Sequence, residues 1–325
     1  MARMPSRPLL TALCACVLAP ALSAQAAVDP SIAPRAGQLA RAGQRTEATE
    51  MLGRYLATAP DDALAWRALG WFYLLDSREW HARGHQGDPP GELYLDFAAA
   101  ALDQSLRAPT DSARLLRAAV DKERALLAVE RDGWLRARGD GTLAVASDAP
   151  GYVLEAGRNL LASCPVGGIM VTGTDLEATA VFGVVFGAQR RNDLVLLMAA
   201  AYGADSLYRG AMARALDVSP SLPVGAALAQ AAEHRPVCFT PGVPAEALPQ
   251  LPLVAVRLLR VAGAATDTDD APLSIVDLLQ VELSRPNAVE GEVLQVYRGA
   301  AGFNPVLCTT LLLPLGVHQR FACPD

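Results

Sequence analysis

The sequence predicts an exported chain in three parts: a layer of paired α-helices, a central α/β domain with a mainly parallel sheet, and a helical C-terminal extension. Three observations predict it. From Ser31 to about Leu135, apolar residues recur at helical spacing. Between Tyr152 and Val261, short continuous apolar runs alternate with helical segments, the pattern of strands buried on both faces of a sheet. After the acidic stretch Gly263 to Leu273, two apolar helical segments, Ile275 to Leu283 and Val293 to Leu313, close the chain, with Asn304 and Pro305 breaking the second.

The first residues set the compartment. Arg3 and Arg7 precede "LLTALCACVLAPALSA", and Ala24 to Ala26 offer small residues for a signal peptidase, so residues 1–26 read as a secretory signal peptide. A lipoprotein reading needs Cys14 or Cys16 as the lipidated residue, but Leu13 directly before Cys14 is too large, and the apolar run before Cys16 is short and continues past it. No other apolar stretch reaches the ~20 residues of a spanning helix. The expected product is periplasmic or secreted, with no transmembrane segment after signal cleavage. Its expected domains are 27–140, 151–262 and 274–325. A net charge of -6 with no Lys/Arg cluster excludes a nucleic-acid footprint. Lys122 is the single lysine.

In the helical part, "AGQRTEATEMLGRYLATAPDD" places Ala48, Leu52 and Tyr55 on one helix face, with Pro60 closing it. "WRALGWFY" then sets Trp66, Leu69, Gly70 and Tyr73 in the order W-x2-L-G-x2-Y. An insertion, "DSREWHARGHQGDPPGEL", separates this helix from the next, where Phe97, Leu102 and Leu106 resume the apolar face. A third helical pair follows from Asp111. The W-x2-L-G-x2-Y segment resembles the tetratricopeptide repeat family, in which the glycine lets two helices approach. That resemblance covers Ser31 to Pro109 and implies an α-solenoid whose concave face, near Trp66 and Tyr73, binds a protein or peptide partner or braces a neighbouring domain. His81 and His85 sit four apart, as metal ligands can. No third ligand is spaced to join them, so the sequence assigns no metal.

The central part reads as helix Tyr152–Ser163, strand Gly168–Thr172, helix Leu176–Ala188, strand Leu194–Met198, helices Ala204–Leu216 and Val224–His234, strand Pro236–Thr240 and a last strand Leu253–Val261. Ligands of such sheets favour the carboxyl ends of strands. There "VTGTDLE" ends a strand and shows two carboxylates, Asp175 and Glu177. Thr174 or Asp175 could also cap the helix that follows. Of the four cysteines past the signal, Cys308 and Cys323 are expected to form a disulfide closing a short loop. Cys164 and Cys238, each beside a strand, are expected as small buried apolar residues.

"NLLASCPVGGIMVTGTDLE", "RNDLVLL" and "RPVCFT" resemble, in order, three landmarks of the soluble region of bacterial O-mannosyltransferase-like membrane proteins, a family of unknown function. Asn159, Pro165, Thr172, Asp175, Glu177, Arg191, Asp193, Arg235, Pro236 and Phe239 match. Gly173 and Thr174 stand where that family has asparagine and glycine, and Leu176 replaces its second asparagine. The resemblance covers Tyr152 to Val261 and implies an accessory or recognition domain.

The leading expectation is an exported scaffold or recognition protein, accessory to an envelope glycan or glycoprotein pathway, that binds a protein or saccharide without catalysis. Its expected contact residues are Trp66, Tyr73, Thr172, Asp175, Arg191 and Asp193. The alternative is a saccharide-acting enzyme, by transfer or hydrolysis, with Asp175 and Glu177 as its acid pair. No G-x-S-x-G, H-E-x-x-H, phosphate loop or dinucleotide fingerprint occurs, and no cofactor is expected.

Overall fold

A computed structural model describes residues 28–84, 90–139, 148–188, 190–263, 272–281, 285–313, 321 and 323. The signal segment, His85 and the linker stretches 140–147 and 264–271 lie outside them. Among the described residues no helix is long and apolar enough to cross a membrane.

The N-terminal layer is α1 (Ile32–Arg41), α2 (Arg45–Leu56), α3 (Ala63–Ala82), α4 (Gly91–Ser105), α5 (Asp111–Asp132) and the short α6 (Trp134–Gly139), each packed on the next in the chain. Side-chain caps set two of the starts. Asp62 accepts the backbone N–H groups of Leu64 and Ala65 at α3, and Thr110 accepts that of Ala113 at α5. A Cβ on Gly70 would lie 2.6 Å from Leu102 Cγ, so α3 and α4 meet at a position where only glycine fits.

After α7 (Gly151–Ser163) the chain forms β1 (Ile169–Thr172), α8 (Asp175–Phe182) with a π-helical turn over Gly183–Gly187, β2 (Val195–Met198), α9 (Ala199–Ala204), α10 (Ser206–Leu216), α11 (Val224–Ala231), β3 (Val237–Phe239), β4 (Val254–Val256) and β5 (Leu259–Ala262). The sheet order is β2-β1-β3-β5-β4. Central β1 runs parallel to both neighbours, Ile169 facing Val195 on β2 and Val237 on β3. β5 is antiparallel to β3 and to β4. The sheet is therefore mixed, with parallel pairing confined to its β2-β1-β3 half.

The single strand read over Leu253–Val261 is in fact a hairpin. Arg257 turns the chain at φ 52°, without the glycine that usually marks such a turn. Tertiary bonds hold that strained residue: its guanidinium donates to the Ala162 carbonyl at 3.0 Å, and its own carbonyl accepts the Asn304 amide at 2.7 Å. The C-terminal helices are α12 (Val276–Leu279), α13 (Ala288–Phe303) and α14 (Pro305–Leu307), with the break at Asn304 where the sequence places it.

Three apolar clusters fill the interior. One lies among α1, α2 and α3, a second among α3, α4 and α5, and the largest surrounds the sheet. Helix α5 belongs to two of them. Ala119 and Val120 face the helical layer, whereas Leu126 and Val129 pack into the sheet cluster together with Trp134 and Ala137 of α6.

The Cys308–Cys323 bond forms, with Cα atoms 5.7 Å apart. Cys164 and Cys238 depart from expectation, because they too are bonded, at a Cα separation of 5.8 Å. The register explains it. Cys238 faces Met170 across β1 and β3, while Cys164 ends α7 just before β1, so strand pairing brings together two residues 74 positions apart.

Candidate functional site

The carboxyl end of the parallel half is closed by the two loops that follow β1 and β3. A Cβ on Gly173 would come within 2.1 Å of the Gly242 backbone, so these loops touch main chain to main chain. Thr174, the first of the two capping candidates, is the N-cap of α8. It forms a capping box with Glu177, whose amide donates to Thr174 Oγ1 at 3.2 Å.

Glu177 does more than close that box. Its side chain, 1% exposed, accepts from Gly173 N at 3.2 Å, Thr174 N at 3.0 Å, Thr240 Oγ1 at 2.8 Å and Gly242 N at 2.8 Å. The carboxylate is solvated by fixed dipoles from both loops and by the start of α8. Thr172, fully buried, donates to the Leu197 carbonyl at 3.5 Å and so joins β1 to β2.

Asp175 occupies the first turn of α8 and reaches to the helical layer instead. Arg78 Nη2 of α3 lies 2.9 Å from both of its oxygens, and Lys122 Nζ of α5 donates to Oδ1. Glu123 completes the cluster, 2.7 Å from Arg78 and 2.8 Å from Lys122. Burial alone would raise the Asp175 carboxyl, but Lys122 and then Arg78 outweigh it and hold the group well below the usual carboxylate range. Arg78 also lies over the Trp71 ring, 5.7 Å from its centroid. A general acid needs a raised carboxyl, and this one is pinned in its charged form.

The other expected contact residues are distributed elsewhere. Arg191 and Asp193 form a two-pronged pair with both contacts at 2.9 Å, at the amino end of the strands and thus opposite Asp175. Arg191 donates to the carbonyls of Leu161, Cys164 and Pro165, while Asp193 accepts Gly167 N at 2.9 Å. Arg235 donates to the Gly167 carbonyl at 2.8 Å. These three residues clamp the turn that leads into β1. Burial opposes the Asp193 charge, yet the bonds from Arg191 and Gly167 bring its pKa down to about 2. Asn159 is buried against Tyr297 Oη, 2.7 Å away, and Ser274.

Trp66 donates its indole N–H to the Pro60 carbonyl at 2.7 Å, which fixes the turn into α3. Tyr73 lies two helical turns further on, its ring 6.5 Å from Tyr94 and 5.4 Å from Phe97. Phe97 is 41% exposed and Leu93 37%, so α3 and α4 present an aromatic patch to solvent.

A cleft of 380 Å³ opens between the two strand-end loops and α13, lined by Thr174, Leu176, Glu177, Pro241 and Gly242 on one side and by Glu292, Gln295 and Gly299 on the other. Burial, with the charge of Asp175, pushes the Glu292 carboxyl up.

Sequence reading missed the partners of His81. Among the described residues they include Glu130 of α5 and Asp205, the N-cap of α10, each with an oxygen 3.5 Å from His81 Nδ1. Burial opposes charge on the ring, but the facing carboxylates of Asp205 and Glu130 outweigh it and push its pKa up to about 9. Three residues from three distant elements have no spacing signature. Lys122 did carry one signal, as the only lysine in the chain, and its side chain is 1% exposed. Compared with protein-family models, curated proteins and solved structures, the chain has no match.

Proposed function

We propose that this is an exported, periplasmic or secreted recognition or scaffold protein, accessory to an envelope glycan or glycoprotein pathway, that binds a protein or saccharide partner without catalysis. The observation that carries the reading is the bonding of the two strand-end carboxylates. Glu177 is consumed by four intramolecular donors, and Asp175 by Arg78 and Lys122. Two structural carboxylates leave the strand end without an acid pair. Recognition then falls to the Tyr73, Tyr94 and Phe97 patch, whose ring faces suit a sugar ring or an apolar peptide residue, and to the cleft beside it in function, where Glu292 and Gln295 supply hydroxyl-binding groups. The tetratricopeptide-like pairing of α3 with α4 through Gly70 favours a peptide on the patch. The second resemblance favours a glycan in the cleft. Two disulfides fit an oxidising compartment.

The test is a thermal-shift screen of the chain from Ala27 onward against oligosaccharides, nucleotide sugars and peptides, repeated with Phe97→Ser and Glu292→Gln, with the melt of each variant alone reporting that it stays folded. A ligand at 100 times its Kd adds about 2.7 kcal/mol. A shift abolished by one variant supports recognition at that surface. Turnover of any saccharide, detected as product by mass spectrometry and abolished in folded Glu177→Gln, would sink the non-catalytic reading.

A further inference from the structure

The charged trio of His81, Glu130 and Asp205 is not used by the proposed recognition surfaces. It gathers the C-terminal turn of α3, the end of α5 and the α9–α10 junction at one point, with side chains 11%, 6% and 5% exposed. One nitrogen, His81 Nδ1, stands 3.5 Å from an oxygen of each carboxylate, and the three ligating atoms lie within 4.8 Å of one another.

That geometry also fits an ion. A charge-assisted N–H···O bond spans about 2.7 to 2.9 Å, and one proton on Nδ1 can point at only one acceptor, whereas this nitrogen is equidistant from two. Around a tetrahedral centre with bonds of about 2.0 to 2.2 Å, neighbouring ligand atoms stand about 3.3 to 3.6 Å apart, and the two separations from His81 Nδ1, each 3.5 Å, fall in that range. The ligand set selects its kind: Ca²⁺ and Mg²⁺ take oxygen, while imidazole nitrogen suits Zn²⁺ and its neighbours. Asp205 is pre-positioned, because its Oδ1 accepts Leu207 N at 2.7 Å and Tyr208 N at 3.1 Å, which turns Oδ2 toward His81.

We propose that His81, Glu130 and Asp205 bind one divalent transition-metal ion of the Zn²⁺ class, stapling the helical layer to the segment that follows β2. The fourth position is open to a water molecule, as in other three-ligand sites.

The probe is Zn²⁺ itself, titrated calorimetrically into untagged, chelator-treated mature chain in two buffers of different ionisation enthalpy. The expected result is one ion per chain, a melting temperature higher by a few degrees, and no comparable effect of Mg²⁺ or Ca²⁺. Glu130→Gln, which keeps side-chain shape, and His81→Gln each weaken binding at least about 100-fold, beyond the 10–100-fold typical of an outer-shell partner. Exposed His234→Ala leaves it unchanged. If His81→Gln does not fold, Glu130→Gln decides alone. Absence of a Zn²⁺ effect on the folded chain, or binding equally tight in Glu130→Gln, overturns the proposal and leaves the trio as a buried imidazolium held by two carboxylates.

Discussion

Replacing Asp175 by Asn removes one charge from a balanced group of four, in which Arg78 and Lys122 face Asp175 and Glu123. Two limits bracket the consequence: an exposed pair is worth about 0 to 1 kcal/mol, and breaking a fully buried one costs about 3 to 5 kcal/mol. Lys122, at 1% exposure, belongs to the second case, while Asp175, at 42%, belongs nearer the first. Lys122 also keeps Glu123 at 2.8 Å. The expected loss is therefore about 2 kcal/mol, or a fall of about 4 °C in Tm for a chain this long. Calorimetric melts at pH 7 and low salt measure it. A second substitution sharpens the test: in Asp175→Asn with Lys122→Met, the Arg78–Glu123 pair remains balanced at 2.7 Å. The double variant should then lose at least about 1 kcal/mol less than the sum of the singles. Because the Asp175 carboxyl titrates lower folded than unfolded, its contribution is complete above the unfolded value of about 3.9 and disappears as pH falls below it. Additive single variants, or a loss under about 0.5 kcal/mol in Asp175→Asn, would refute the view that this carboxylate ties helical layer to sheet.

Glu177→Gln turns an acceptor into a partial donor facing the N–H groups of Gly173, Thr174 and Gly242, and should lower urea stability by about 3 kcal/mol; a change within about 0.5 kcal/mol would mean that the loops do not depend on it. Cys164→Ala with Cys238→Ala opens a span of 74 residues and should cost about 4 kcal/mol, against about 3 kcal/mol for the pair at 308 and 323, which spans 15. Equal losses on thermal melting would count against the chain-entropy account. Asp193, with its pKa lowered to about 2, stabilises fully above the unfolded Asp value and loses that contribution as pH drops toward 2. Asp193→Asn should therefore destabilise at pH 7 and have little effect near pH 2, as acid melts of the two proteins will show.

Much of the scaffold is legible in the residues because it depends on local patterns. The apolar runs "GIMVT", "LVLLM" and "PVCFT" give β1, β2 and β3, and the spacing of Thr174 to Glu177 is that of a capping box. The β4–β5 hairpin is not legible, because its turn uses Arg257 where composition would place glycine, and only Ala162 and Asn304, far away in sequence, hold it there. The partners of Asp175 and His81 are hidden for the same reason. Arg78, Lys122, Glu130 and Asp205 look like solvated charges until helices pack over the strand ends. The Cys164–Cys238 bond needed the strand register, which no cysteine spacing encodes.

Helix α5 packs Ala119 and Val120 on one side and Leu126 and Val129 on the other. The halves it joins are thus not interchangeable cassettes. A chain cut after α4 would leave the Ala119 and Val120 face of α5 bare to water, and one cut after α6 would deprive the sheet of the wall formed by Leu126, Val129, Trp134 and Ala137. Exchange with a foreign helical array would have to reproduce both faces of this one helix at once. Hydrogen exchange along α5 should report a single opening event common to both halves.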